Sequence, residues 1–189
     1  MHINPSIFKA YDIRGLYPGE INEDVARHIG RGFVAYLTPN RIGVSRDMRV
    51  SSPSVAAAFI EGAREQGADV IDYGMLGTDM MYFAVAKDAL DGGAQITASH
   101  NPKQYNGIKM VREGALPLSG DAGIGDIRDM LANDRLPVPP ASPLSGKACC
   151  RTIFIPLYCF GLCDAVICTP PSWPSRATAK YSMSVAIIP

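Results

Sequence analysis

"GAQITASHNPKQYNGIKMV", residues Gly93–Val111, is the stretch on which the fold turns. Its first half alternates. Ala94, Ile96 and Ala98 are small or apolar, and Gln95, Thr97 and Ser99 between them are polar. That period of two predicts a strand. The strand runs into Ser99-His100-Asn101-Pro102, where serine and asparagine suit a turn and Pro102 pushes Asn101 towards an extended conformation. Asn106-Gly107 is a further turn signal, and Gly107–Val111 reads as the next strand. Ser99 is thus expected at the carboxyl end of a strand.

Working back from this segment, strands and helices alternate. Asn22-Glu23-Asp24 looks like a helix cap with acidic residues in the first turn, where the helix dipole favours them. Val25, Ile29, Phe33 and Leu37 follow at helical spacing until Thr38-Pro39-Asn40. Arg41–Arg46 is a short strand. Ser52-Pro53 opens a second helix that stops at Gly67. Val70–Tyr73 is a strand, Met80–Leu90 a third helix, and Ser119–Asn133 a last helix weakened by Gly120, Gly123 and Gly125. Strand, helix, strand, helix, strand is the pattern of an α/β layer fold, in which ligands gather beyond the carboxyl ends of the strands.

The chain has 189 residues, is 47% hydrophobic and 19% charged, and its 18 basic and 18 acidic residues cancel. It is long enough for one ordinary globular domain and part of a second, and its charge balance argues against a broad nucleic-acid or membrane-surface footprint. No basic segment followed by an apolar run opens it, so no signal peptide is expected. All five cysteines lie at Cys149, Cys150, Cys159, Cys163 and Cys168, and nine of the fifteen prolines fall at or after Pro137. The composition changes near residues 140–147, which splits the chain into a body, 1–140, and a tail, 141–189.

The bland reading of Ser99 is a turn serine in a connecting loop. A serine-hydrolase elbow needs Gly-x-Ser-x-Gly, and Ser99, between Ala98 and His100, does not stand in one. His100 is a poor base for its own neighbour, because adjacent residues on an extended chain point apart. Gly146-Lys147 lacks the earlier glycine of a phosphate-binding P-loop, and the glycines at 120, 123 and 125 do not match a dinucleotide fingerprint. A phosphate-handling loop remains: a hydroxyl, a neighbouring imidazole and Lys109 on the next strand suit phosphoryl transfer, which depends on positioning and cationic stabilisation. Lys9–Gly15 adds Arg14 and the Tyr11 hydroxyl. Ser45–Arg49 places Arg46 and Arg49 around Asp47, either a loop anchor or an ordinary surface ion pair.

"IFKAYDIRG" at Ile7–Gly15, "SRDMRVSS" at Ser45–Ser52, "GTDMMYFAV" at Gly77–Val85 and the opening segment together resemble the N-terminal domain of the α-D-phosphohexomutases, nearest the phosphomannomutase/phosphoglucomutase branch. The resemblance implies a layered α/β/α domain with a mixed sheet over residues 1–140. It implies that Ser99 is carried as a phosphoserine and exchanges its phosphoryl group with a hexose phosphate through a bound glucose 1,6-bisphosphate or mannose 1,6-bisphosphate. Lys109 and Arg14 would neutralise phosphate charge, His100 and Tyr11 would position groups or handle protons, and Asn101, Pro102, Arg46 and Asp47 would shape the loop. Mg2+ would bridge a phosphoryl oxygen on Ser99 and three aspartates, but the Asp-Gly-Asp-x-Asp-Arg run that carries those aspartates does not occur in this sequence. Lys9 stands where arginine is common, which keeps the charge and loses the planar fork. The resemblance further implies a cytoplasmic, mostly monomeric enzyme with a hexose phosphate as its partner, no nucleic acid and no membrane. The alternative is a non-catalytic fragment or sugar-phosphate-binding remnant.

The tail resembles nothing in that family. Its clustered cysteines, prolines and unperiodic apolar residues are what an out-of-frame reading produces, so it is expected to be irregular or disordered. A membrane span over Thr152–Cys168 is interrupted by Pro156, Gly161 and Asp164 and is short of about 20 residues. A zinc site lacks paired cysteines at knuckle spacing, and a partner-docking tail is the remaining alternative.

Overall fold

In the computed structural model, residues 3–139 are described together with the backbone of 148–150. The strands are β1 (Ile13–Leu16), β2 (Arg41–Arg46), β3 (Asp69–Met75), β4 (Gly92–Ile96), β5 (Tyr105–Arg112), β6 (Leu116–Pro117) and β7 (Ala148–Cys150). The helices are α1 (Glu23–Leu37), α2 (Ser52–Glu65), α3 (Thr78–Lys87) and α4 (Ile124–Ala132). One sheet runs in the order β1-β5-β4-β2-β3-β7, with β6 paired to β5. β4, β2, β3 and β7 are mutually parallel, and β5 runs antiparallel to both β4 and β1. The sheet is therefore mixed, as the family resemblance implies.

Local chemistry sets the element boundaries. The Asn22 side chain accepts from the Val25 amide at 2.9 Å and caps α1, and Thr38 ends it in the left-handed region at φ 48. Several expected boundaries move. β4 ends at Ile96, three residues before Ser99. α4 starts at Ile124 rather than Ser119, because Ser119 and Ala122 exchange backbone hydrogen bonds in a tight turn and Gly123 takes φ 111. α3 occupies Thr78–Lys87 rather than Met80–Leu90.

Two cores cover the two faces of the sheet. Ile42, Val44, Ala94, Ile96, Ile108 and Met110 belong to the larger, with Ile29 and Phe33 of α1 and Val55 and Phe59 of α2. Ile71, Tyr73 and Val111 join Met81, Ala84 and Val85 of α3 in the smaller. Phe33 and Phe59 stack obliquely with centroids 6.0 Å apart, and burying each ring contributes roughly 1.5–3 kcal/mol. α1 and α2 approach backbone to backbone. A Cβ at Gly62 would lie 1.9 Å from the Arg27 carbonyl oxygen, and one at Gly30 would lie 2.3 Å from that of Phe59.

Asn106-Gly107 does not form the expected turn. Both residues lie inside β5, where Asn106 faces Gly15 and Gly107 faces Arg14. Gly107 is required by proximity: a Cβ there would stand 2.3 Å from the Ile13 carbonyl oxygen. The turn falls earlier, between Ile96 and Tyr105. Within the tail, the described backbone of Ala148–Cys150 pairs with Val70–Asp72 as β7. The membrane-span, zinc and docking readings of the tail, and the change of composition at 140–147, lie outside the described residues. Among the described residues, no helix is long and apolar enough to cross a membrane.

Candidate functional site

The carboxyl ends of β2, β3 and β4 share one edge of the sheet with the start of β5. The segment from Thr97 to Gln104 bridges the last two and carries Ser99. The backbone changes direction at Ser99 itself, which takes φ 54. A left-handed conformation costs a non-glycine residue roughly 1–2 kcal/mol, so neighbouring bonds must hold it. The Thr97 hydroxyl oxygen accepts from the Ser99 amide at 2.9 Å. The Asn101 side chain folds back and donates to the Ala98 carbonyl at 2.7 Å. Ser99 and His100 are both exposed, and the Ser99 hydroxyl takes no hydrogen bond from a described residue.

The strongest hold on this loop is Arg49. Its guanidinium donates to the carbonyls of Ser99 at 2.9 Å, Asn101 at 2.7 Å, Pro102 at 2.9 Å and Tyr105 at 3.1 Å. Asp47 steadies it: one carboxylate oxygen accepts from Arg49 Nε at 3.1 Å, and the other accepts from the Arg49 amide at 3.0 Å and the Ser52 hydroxyl at 2.6 Å. Asn106, wholly buried in β5, donates to the Ser51 and Ser52 hydroxyls at 2.8 and 3.2 Å. A continuous hydrogen-bonded path therefore joins the core of β5 to the loop.

The expected site residues divide into groups. Asn101 and Pro102 lie in the loop, and Asp47 lies behind it. Arg46, expected beside Asp47 as a loop anchor, turns the other way and pairs with Asp72 of β3 at 3.4 Å. Arg49 holds the loop instead. Lys109 Nζ lies 3.5 Å from Asp12 and Arg14 Nη2 lies 3.4 Å from the same carboxylate. One carboxylate, with only 9% of its side chain exposed, therefore serves two cations. Tyr11 is 74% exposed, and neither it nor His100 has a hydrogen-bond partner among the described residues. Asp12, Ser52 and the buried role of Asn106 are the additions, and Arg49, weighed with Arg46 as an anchor, is the one that reaches the loop. The alternating charges of Arg46-Asp47-Met48-Arg49 signal an anchor, but not which arginine supplies it.

Mg2+ demands about six oxygen ligands in near-octahedral geometry. Ser99 offers one, the nearby Asp47 carboxylate is already bonded to Arg49 and Ser52, and no group of three metal-ligating side chains gathers among the described residues. These residues alone do not fit that ion.

Residues 5–136 match the family described as "Phosphoglucomutase/phosphomannomutase, alpha/beta/alpha domain I". The chain belongs to this family. It is 47% identical over 140 residues to a phosphomannomutase of Salmonella montevideo, a match covering 74% of this chain and 31% of that protein. A phosphomannomutase of Klebsiella pneumoniae is 47% identical over 136 residues, covering 72% of this chain and 85% of its own length. Among solved structures, a phosphoglucomutase/phosphomannomutase family protein of Burkholderia thailandensis superposes with a TM-score of 0.67 at 36% identity, over 79% of this chain and 33% of that one. The chain thus spans about a third of the length of most of these relatives.

Proposed function

We propose that this chain is the phosphoserine-bearing first domain of a phosphomannomutase/phosphoglucomutase, an intramolecular phosphotransferase of carbohydrate metabolism acting in the cytoplasm. Ser99 accepts a phosphoryl group from glucose 1,6-bisphosphate or mannose 1,6-bisphosphate. The serine oxygen forms a bond to phosphorus as the bond from phosphorus to the sugar oxygen breaks. The serine proton ends on the released sugar hydroxyl. The reverse step at the other end of the sugar interconverts hexose 6-phosphate and hexose 1-phosphate.

The observation that carries this reading is the presentation of Ser99. A serine in a tethered left-handed turn at the carboxyl edge of the sheet is exposed, with its hydroxyl unengaged by any described residue. Serine is a weak nucleophile unaided, so fixed geometry and nearby cations must do much of the work. Lys109 and Arg14 supply positive charge from β5 and β1, and His100 and Tyr11 are exposed for proton handling. Full interconversion also requires the sugar and a metal to be held opposite Ser99, and the described residues do not by themselves provide that metal's ligands.

The test is intact-mass spectrometry of the full chain after incubation with glucose 1,6-bisphosphate. The expected result is one added phosphoryl group on the wild type and none on Ser99→Ala. A wild type that stays unmodified, or a Ser99→Ala protein labelled equally, overturns the proposal.

A further inference from the structure

We infer that Arg49 is the positioning residue of the Ser99 loop, holding the nucleophile's backbone in place while taking no part in phosphate binding. The inference rests on the reading of Ser99 as the phosphoryl acceptor.

A guanidinium carries five N–H donors in a fixed plane. In Arg49 all five are engaged by the chain. Nε reaches Asp47; Nη1 reaches the carbonyls of Pro102 and Tyr105; Nη2 reaches those of Ser99 and Asn101. The side chain is only 13% exposed. Recognition of a phosphate by arginine needs paired donors turned towards the anion, and here none is left. Arg14 differs: it makes one contact to Asp12, at 3.4 Å, and its side chain is 31% exposed.

The four captured carbonyls belong to one short turning segment; that of Pro102 also accepts from the Tyr105 amide at 3.0 Å, and every backbone acceptor withdrawn from water needs such a partner. The Ser99 carbonyl is among them, and the Ser99 amide is held from the other side by Thr97. Both peptide groups of the nucleophile are therefore fixed while its hydroxyl stays unengaged by the described residues. Asp47 fixes the guanidinium plane through Nε and, with Ser52 and Asn106, ties it to β5. Lysine keeps the charge but has three donors and no plane, so it cannot reproduce this arrangement.

The experiment compares the full-length wild-type chain with Arg49→Lys and Arg49→Ala. Labelling of Ser99 by glucose 1,6-bisphosphate is followed as a function of its concentration. The expected result for Arg49→Lys is a maximal labelling rate lower by on the order of 100-fold, the scale of a small misplacement of a reacting group, at an unchanged half-saturating concentration. An unchanged maximal rate, or a raised half-saturating concentration in its place, overturns the inference and makes Arg49 either dispensable or a phosphate ligand. In parallel, amide hydrogen exchange is read by NMR. Ser99 and Asn101 are expected to lose protection in Arg49→Lys while Ile108 and Met110 keep theirs. Unaltered loop amides overturn the inference. If Arg49→Ala fails to fold, Arg49→Lys carries both measurements. If even the wild type is not labelled, the phosphoryl-acceptor reading fails, and the amide measurement still decides whether Arg49 holds the loop.

Discussion

Arg49 and Arg14 flank one functional edge and are used in opposite ways. Every donor of Arg49 is turned onto the protein's own carbonyls and Asp47, so that its charge is internal to the loop it shapes. Arg14 shares the Asp12 carboxylate with Lys109 through contacts of 3.4 and 3.5 Å and keeps most of its donors unengaged by described residues. The difference separates two jobs a cationic site must do, which are fixing the nucleophile and meeting the anion. A residue saturated by the chain can do only the first, and a loosely held one is suited to the second.

Three variants test that division and a fourth sets its scale at a carboxylate of α1 away from both arginines, ordered from the largest expected effect on stability to the smallest. Asp47→Ala removes the carboxylate that orients Arg49 and accepts from Ser52. It is expected to cost about 2–3 kcal/mol in urea unfolding, the scale of hydrogen bonds to a charged group, and to expose the Ser99 loop to hydrogen exchange. A stability change near zero would break the comparison, because Arg49 would then hold the loop without its partner.

Asn106→Ala empties a buried position whose amide donates to two serines and whose oxygen accepts from the Gly107 amide at 2.8 Å. The expected loss is about 2 kcal/mol, within the usual range for buried polar groups left unpaired. Loop exchange should rise with it if the path from β5 to Arg49 transmits the change.

Arg14→Gln is expected to change stability by less than about 1 kcal/mol, because the contact is long, 3.4 Å, and Asp12 keeps Lys109 as its second cation. It should raise the half-saturating bisphosphate concentration for Ser99 labelling. A fall in maximal rate at unchanged half-saturation would assign Arg14 the role argued for Arg49.

Glu23→Gln is expected to have the smallest effect, and one that depends on pH. The Glu23 carboxyl is held below its ordinary 4.5, first by a hydrogen bond from Ser54 and also by Tyr17, with burial working against them. A depressed carboxyl contributes stability above its unfolded value and loses it as pH falls through the folded one. Thermal unfolding of the wild type should therefore lose a little more stability than Glu23→Gln as pH drops below about 4.5. Parallel curves for the two proteins would show that the carboxylate's bonds are not kept in solution.

The order of strands and helices and the place of Ser99 were legible because their signals are local. The Asn22 cap, the helical spacing of Val25, Ile29 and Phe33, and the alternation from Ala94 to Ser99 each act within a few residues. Asn106-Gly107 misled for the same reason. The pair favours a turn when judged on its own backbone freedom, but here glycine is needed because β1 passes too close for a side chain. Arg46 and Arg49 lie three residues apart in one charged run, and nothing local says which one faces the loop.

By itself, then, the sequence determined an α/β body, a strand leading towards Ser99 and the family to which that motif belongs. The tertiary structure alone decided that Arg46 goes to Asp72, that Arg49 takes four carbonyls, that Asp12 serves both Lys109 and Arg14, and that Ala148–Cys150 joins the sheet. The physical reason is reach. Caps and periodicities depend on neighbours along the chain, whereas the direction of a long charged side chain depends on which carboxylates and carbonyls the sheet register brings beside it.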